Sequence, residues 1–261
     1  MLAIALTIAG SDPSGGAGLQ ADLKTFHRFG VYGEAVVTLV TVQNTRTVSR
    51  VEILAPDLVR EQVSAVLCDM PPHAAKTGAL GSVAVVEVVA QMARDFPFPL
   101  VVDPVMISKH GSPLLSVEAE TSLKKKLLPH CLLVTPNIPE AEALSGLSIR
   151  GDSDMEEAAK RIAGLGARAV LIKGGHLESG PVDLLYSETG VRRYVGERIA
   201  SRHTHGTGCT YSAAITAGLA QALSLEDAVA RAKRFVQAAI ESAPGLGQGN
   251  GPVNHFAAVE P

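Results

Sequence analysis

Short, almost unbroken apolar runs alternate along nearly the whole chain with longer segments of helical period, and this alternation narrows the possible folds more than any other feature. The runs Ile4–Ala9, Ala35–Val42, Val48–Leu54, Ala74–Thr77, Leu100–Val102, Leu132–Thr135, Ala169–Lys173, Val182–Tyr186 and Val191–Val195 read as strands. Between them Gly18–Phe29, Asp57–Cys68, Val83–Asp95, Val117–Leu128, Ile138–Leu144, Met155–Leu165, Gly208–Leu223 and Leu225–Ser242 read as helices, many with Ser, Asp or Pro at their starts. Continuously apolar strands need cover on both faces, and an intervening helix returns the chain in the parallel sense. The expectation is an α/β protein: a mostly parallel central sheet flanked by helices on both faces. Val182 to Val195 reads as a hairpin turning at Glu188-Thr-Gly190. No repeat, low-complexity tract or linker breaks the pattern, so residues 1–261 are expected to form a single domain.

Composition bounds the function. Hydrophobic residues make up 46% of the chain and charged ones 19%, ample for a sizeable core. The net charge is −3 and the basic residues are scattered, so there is no electrostatic footprint for nucleic acid or an anionic membrane, and a small-molecule partner is expected. The one cluster, Lys124-Lys-Lys126, falls at a helix end, where cations suit the dipole. Cys68, Cys131 and Cys209 lie far apart without a C-x-x-C pair, as expected of reduced thiols in a cytoplasm. Leu2 to Ala9 has no basic n-region or cleavage site and reads as a strand, while Val83 to Ala93 is too short to span a bilayer.

The richest chemistry lies at His205-Gly-Thr-Gly-Cys-Thr210, before the small-residue run Tyr211 to Gly218. Two glycines let a turn expose successive N–H groups, and the helix behind it directs partial positive charge into that turn, which makes an anion site. Cys209, in the first helical turn, is placed where a thiol pKa is lowered; as plain structure it is a small apolar filler. His203, His205 and Cys209 are ligand-type side chains, yet a structural zinc needs four closed ligands and only these three are near in sequence.

Other motifs carry two readings each. Gly16-Ala-Gly18-Leu-Gln-Ala21 fits the dinucleotide fingerprint after a strand, but Val40-Thr-Val-Gln-Asn-Thr45 offers no acidic residue for a ribose hydroxyl. Gln43 and Asn44 are turn chemistry, or amides that read a heterocycle edge. Asp22 meets a helix dipole or accepts a substrate hydroxyl. Asn137-Ile-Pro-Glu140 is a capping box, or a face that orders Mg²⁺ and its waters near phosphates. Asp103 ends a strand where open α/β sheets bind ligands and could hold metal waters; Lys173 ends another before a glycine turn, facing phosphate or solvent. The Gly245 to Gly251 tail is expected to be flexible and to serve as a loop near the site.

Taken together, Ala9 to Gly18, Gln20 to Thr25, Val42-Gln-Asn-Thr45, Val102 to Met106, Thr135-Pro-Asn137 with Glu140, Lys173-Gly-Gly-His176 and His205 to Cys209 resemble the hydroxymethylpyrimidine and phosphomethylpyrimidine kinases of thiamine biosynthesis, members of the ribokinase-like superfamily. The resemblance runs from the first strand to Gly251-Pro-Val-Asn-His255. It implies a ribokinase-like fold and ATP- and Mg²⁺-dependent phosphorylation of 4-amino-5-hydroxymethyl-2-methylpyrimidine, then of its monophosphate. It assigns Gly206, Thr207 and Gly208 to the phosphoryl anion hole and sets Cys209 against the substrate hydroxymethyl group. Gln43 would read the aminopyrimidine edge, with Asp22 near the hydroxymethyl group and backbone contacts from Gly10 and Val42. Lys173, Asn137 and Thr207 would serve ATP, while Asp103 and Glu140 would organise Mg²⁺. The family implies a homodimer. Two departures stand out: Ala79 where many relatives carry methionine, which widens the pocket, and Ile107 to Ser112, where Asp is common at the last position. A vitamin B6 kinase is the nearest rival; a nicotinamide oxidoreductase and a non-catalytic pyrimidine-binding protein are rivals of other classes.

Overall fold

A computed structural model describes residues 2–107, 111, 114–175 and 180–259. Its sheet has the order β3-β2-β1-β4-β5-β6-β7-β8-β9. The strands are β1 (Ile4–Ser11), β2 (Tyr32–Gln43), β3 (Val48–Ile53), β4 (Ala74–Thr77), β5 (Leu100–Val102), β6 (Leu133–Val134), β7 (Ala169–Ile172), β8 (Val182–Ser187) and β9 (Gly190–Val195). Strands β2-β1-β4-β5-β6-β7 pair in parallel; β3 and the β8–β9 hairpin add antiparallel edges. The expected mostly parallel sheet is the one observed.

The helices are α1 (Gly18–Arg28), α2 (Pro56–Asp69), α3 (Val83–Ala93), α4 (Val117–Ser122), α5 (Ile138–Ser145), α6 (Asp152–Ala163), α7 (Thr207–Ala220) and α8 (Leu225–Glu241). They divide between the sheet's faces because successive strand side chains point to opposite sides. Leu6, Ile8 and Val36 enter one core with Val59 of α2 and Val89 of α3, while Ala5, Leu133 and Leu171 enter the other with Phe26 of α1, Ile215 of α7 and Phe235 of α8. Side-chain caps set several helix starts: Ser82 Oγ accepts from the Val85 amide, and Ser224 Oγ accepts from that of Asp227.

The expected helix Val117–Leu128 breaks up. After α4 the chain makes a π-helical turn over Leu123–Leu127 and a 3₁₀ turn over Leu128–His130. The wider turn ahead of Pro129 lets the adjacent Leu127 and Leu128 both enter the core. Lys124 and Lys126 are thereby drawn to Glu120 and Glu87 as well as serving a helix end. The Gly245 to Gly251 tail is tied down too: the Asn250 amide donates to the Thr45 carbonyl at 2.8 Å, and that of Gly249 to Thr45 Oγ1 at 3.2 Å.

Candidate functional site

A cavity of about 840 Å³ opens where the strands end. Strand order reverses at β1, between β2 and β4, and such a switch point leaves a crevice that loops line rather than fill. Gly10, Asp12, Thr41, Gln43 and Ala79 line it on the β1–β2 side; Asp103, Asn137, Glu140, Lys173 and the start of α7 line it on the other.

The glycine turn before α7 takes the form its sequence demands. Gly206, the N-cap, has φ +80°, and a Cβ there would lie 1.7 Å from the Gly16 carbonyl oxygen. Only glycine satisfies both constraints. Thr207 bonds back to the Thr204 carbonyl through its amide at 3.3 Å and its hydroxyl at 2.8 Å, which fixes the turn. A Cβ on Gly208 would meet Lys173 Nζ at 3.4 Å, so this lysine stands directly against the helix start. Gly206, Thr207, Gly208, Cys209 and Lys173 all line the cavity.

The thiol of Cys209 departs from expectation. Burial pushes it up to about 12; Lys76 pulls the other way, while Asp22 and Asp103 add to the burial effect. The helix start does not outweigh desolvation beside two carboxylates, so the resting group is a neutral thiol.

Asp103 directly follows β5 and gathers cations and hydroxyls. Its Oδ1 lies 3.2 Å from Lys173 Nζ, and its Oδ2 accepts from Ser212 Oγ at 3.2 Å. Burial works against the Lys173 charge, but Asp103 and Glu140 hold its pKa above the usual lysine value. Asn137 and Glu140 form the capping box in full: the Glu140 amide donates to Asn137 Oδ1 at 2.9 Å, and the Asn137 amide donates to Glu140 Oε2 at 2.8 Å. Both still face the cavity. Burial raises Glu140 to about 7, against the pull of Lys173 and with the push of Asp103. Among the described residues no group of three or more His, Cys, Asp or Glu could hold a metal ion. Two oxygen-donor carboxylates that repel each other do fit Mg²⁺, which usually takes one or two carboxylates plus phosphates and waters.

On the opposite wall Asp12 organises the first glycine loop. Its oxygens accept from the Ser14 amide, the Ser14 hydroxyl and the Ala17 amide, each at 2.9 Å. Its Oδ2 also lies 2.7 Å from His205 Nε2. Burial opposes ionisation, but His205 and Ser14 hold the carboxyl below its ordinary value. Gln43 bridges onward: one end of its amide is 3.2 Å from Thr41 Oγ1 and the other 3.3 Å from His205 Nε2.

Several expectations shift. Asp22 lines the cleft, but its side chain is spent on Lys76 Nζ at 2.7 Å and Thr7 Oγ1 at 2.6 Å rather than on the helix dipole. The Val42 side chain alternates with those of Thr41 and Gln43 and points away from the cavity, and its carbonyl accepts from Ser49 Oγ; neither bears on the backbone contact expected of it. Asn44 is turn chemistry, its Oδ1 accepting from the Arg46 and Thr47 amides. The expectations at Ser108 to His110, Ser112 and His176 lie outside the described residues. Sequence reasoning missed Lys76 and Asp12 as site residues. A lysine inside the apolar strand Ala74–Thr77 was the signal for the first, and an Asp directly after β1 for the second.

A family model described as phosphomethylpyrimidine kinase matches residues 12–254. The chain is 49% identical to the thiamine biosynthesis bifunctional protein ThiED of Geobacter sulfurreducens over 257 residues, covering 98% of this chain but only 52% of that protein's length. It is 44% identical to a hydroxymethylpyrimidine/phosphomethylpyrimidine kinase of Staphylococcus aureus, covering 97% of this chain and 94% of the relative. Among solved structures, an ADP complex of Bacillus subtilis pyridoxal kinase superposes with a TM-score of 0.90 at 38% identity, covering 98% of both chains.

Proposed function

The chain belongs to the phosphomethylpyrimidine kinase family, and we propose accordingly that it transfers the γ-phosphoryl group of ATP to 4-amino-5-hydroxymethyl-2-methylpyrimidine and then to the monophosphate, supplying thiamine synthesis. The fold is ribokinase-like and the protein is a kinase. The observation that carries the reading is that a glycine-built helix start, Lys173, Cys209 and Gln43 all line one cavity. Phosphoryl transfer needs little covalent help from a protein; positioning and charge stabilisation dominate. Gly206 and Gly208 offer amides to the transferred group from a turn that Thr207 fixes, and Lys173 and Asn137 meet the nucleotide phosphates. Cys209, a neutral thiol with no capacity for a second proton, orients the substrate hydroxyl by hydrogen bonding, and the hydroxyl proton passes to an oxygen of the transferred phosphoryl group as the new oxygen–phosphorus bond forms. Asp103 and Glu140 would hold Mg²⁺, which neutralises charge on the phosphates. Gln43 and the Gly10 backbone contact the pyrimidine, with Asp22 fixed behind them by Lys76.

Pyridoxal is the second candidate substrate, because Ala79 leaves room in the cleft and a pyridoxal kinase shares the fold at high similarity. We assign the chain to one kinase domain spanning residues 1–261, working as a cytoplasmic homodimer. No described helix is long and apolar enough to cross a membrane. Mass spectrometry of products after incubation with ATP, Mg²⁺ and each of hydroxymethylpyrimidine, its monophosphate and pyridoxal tests the reading. Diphosphate from the two pyrimidines is the expected result, and pyridoxal phosphate alone would replace it with a B6 kinase.

A further inference from the structure

The ends of the Gln43 amide are nearly isosteric, so hydrogen bonding decides which is oxygen and which is nitrogen. Two constraints act on it from opposite sides. Asp12 accepts hydrogen bonds from the Ser14 amide, the Ser14 hydroxyl and the Ala17 amide, so it is an ionised acceptor with no proton to give. The 2.7 Å contact between its Oδ2 and His205 Nε2 therefore needs the proton on the imidazole, and Nε2 has no lone pair left for an amide N–H. At the far end, Thr41 Oγ1 donates its single hydrogen to the Ser11 carbonyl at 3.0 Å, so toward Gln43 it only accepts.

We infer that Asp12, His205 and Thr41 lock the Gln43 amide with its NH₂ toward Thr41 and its oxygen toward His205, and that this polarity sets which way round the substrate ring binds. One N–H goes to Thr41, and on the other side the oxygen faces the Nε2–H that Asp12 holds, as its second and weaker acceptor at 3.3 Å. What remains for a ligand is an N–H on the Thr41 side and a lone pair on the His205 side.

A ring with an acceptor nitrogen beside an exocyclic amino group then fits in one sense only, its amino group toward His205. Gly206 of the phosphoryl turn follows His205 directly in the chain. In 4-amino-5-hydroxymethylpyrimidine the hydroxymethyl group neighbours the amino group, so the locked amide aims the reacting oxygen toward that turn. Pyridoxal has no amino group there and gains nothing from this polarity. His205 is a positioning residue that acts through Gln43, and its link to the ring rests on the pyrimidine reading above.

The test has two arms. Long-range ¹H–¹⁵N NMR on the unliganded protein, with His205 assigned by its loss in His205→Gln, is expected to find Nε2 protonated; a lone pair on Nε2 overturns the inference whatever the substrate is. In steady-state kinetics His205→Leu is expected to raise KM for hydroxymethylpyrimidine about tenfold, the effect of one hydrogen bond. KM for ATP should not move, KM for pyridoxal should move less, and His205→Gln, which carries an N–H of similar reach, should recover most of the loss. Thr41→Val, altered at the other end of the amide, should raise the same KM if His205→Leu does not fold. An unchanged pyrimidine KM, or equal rises in both KM values without recovery in His205→Gln, overturns the assignment. Absence of pyrimidine turnover by the wild-type protein would sink the function proposed above and leave the NMR arm standing.

Discussion

Lys76 Nζ lies 2.7 Å from Asp22 Oδ1, and both side chains are fully buried. Desolvation of the ammonium works against its charge, yet Asp22 and Asp103 hold the Lys76 pKa above its ordinary value. Removing one partner leaves the other charged in a low-dielectric site. Lys76→Met is expected to cost about 3–5 kcal/mol in urea unfolding, and Lys76→Met combined with Asp22→Leu to recover much of it. Equal stability of the single variant and wild type would contradict the pairing.

Cys209 is expected to act only during turnover. Because its thiol is raised to about 12, iodoacetamide at neutral pH should label exposed Cys68 and leave Cys209 unmodified, as read by peptide mass spectrometry. Cys209→Ala should keep its folding transition while kcat falls about a hundredfold, the cost of misplacing the reacting hydroxyl by about 1 Å. Unchanged turnover would take Cys209 out of the chemistry.

Gly206→Ala places a methyl group against the Gly16 carbonyl and forces a left-handed backbone on alanine. The turn must shift, and a displacement of about 1 Å at such a site costs about a hundredfold in kcat/KM. Gly208→Ala meets only the flexible end of Lys173 and should be milder. A Gly206→Ala enzyme at wild-type rate would show that the turn does not hold the phosphoryl group.

Glu34 sits on β2 with 7% exposure, and neither carboxylate oxygen has a hydrogen-bond partner among the described residues. Burial raises its pKa from 4.5 to about 7, with a further push from Asp69. A carboxyl raised on folding destabilises the native state where it must ionise, so stability falls as pH rises from 4.5 through about 7. After solvent screening, Glu34→Gln should gain about 1–2 kcal/mol at pH 8 and little at pH 4. Thermal unfolding at the two pH values reads this directly, and the same gain at both would exclude the titration.

The alternation of apolar runs made the sheet and its helical cover legible, because strands buried on both faces leave a strong local signal. The breakdown after Ser122 was not legible, since the period fits an α-helix and only packing of adjacent Leu127 and Leu128 selects the wider turn. In the site, motif residues at strand ends stood out. Partners across the chain did not: Asp22 meets Lys76 across 54 positions, and Asp12 meets His205 across 193. The Cys209 thiol was misjudged for a related reason, because a helix start is visible in sequence while the carboxylates crowding it are not.

The reversal of strand order at β1 divides the inheritance of this cleft. Residues from roughly the first third of the chain, Gly10, Thr41, Gln43 and Ala79, line the cavity together, whereas Asp103, Lys173 and the α7 turn arrive with the later strands. On the function proposed above, a change of ring specificity is open to substitutions in the early segment that leave Asp103, Lys173 and the α7 turn in place. The Asp12–His205 contact is where the two lineages must stay compatible.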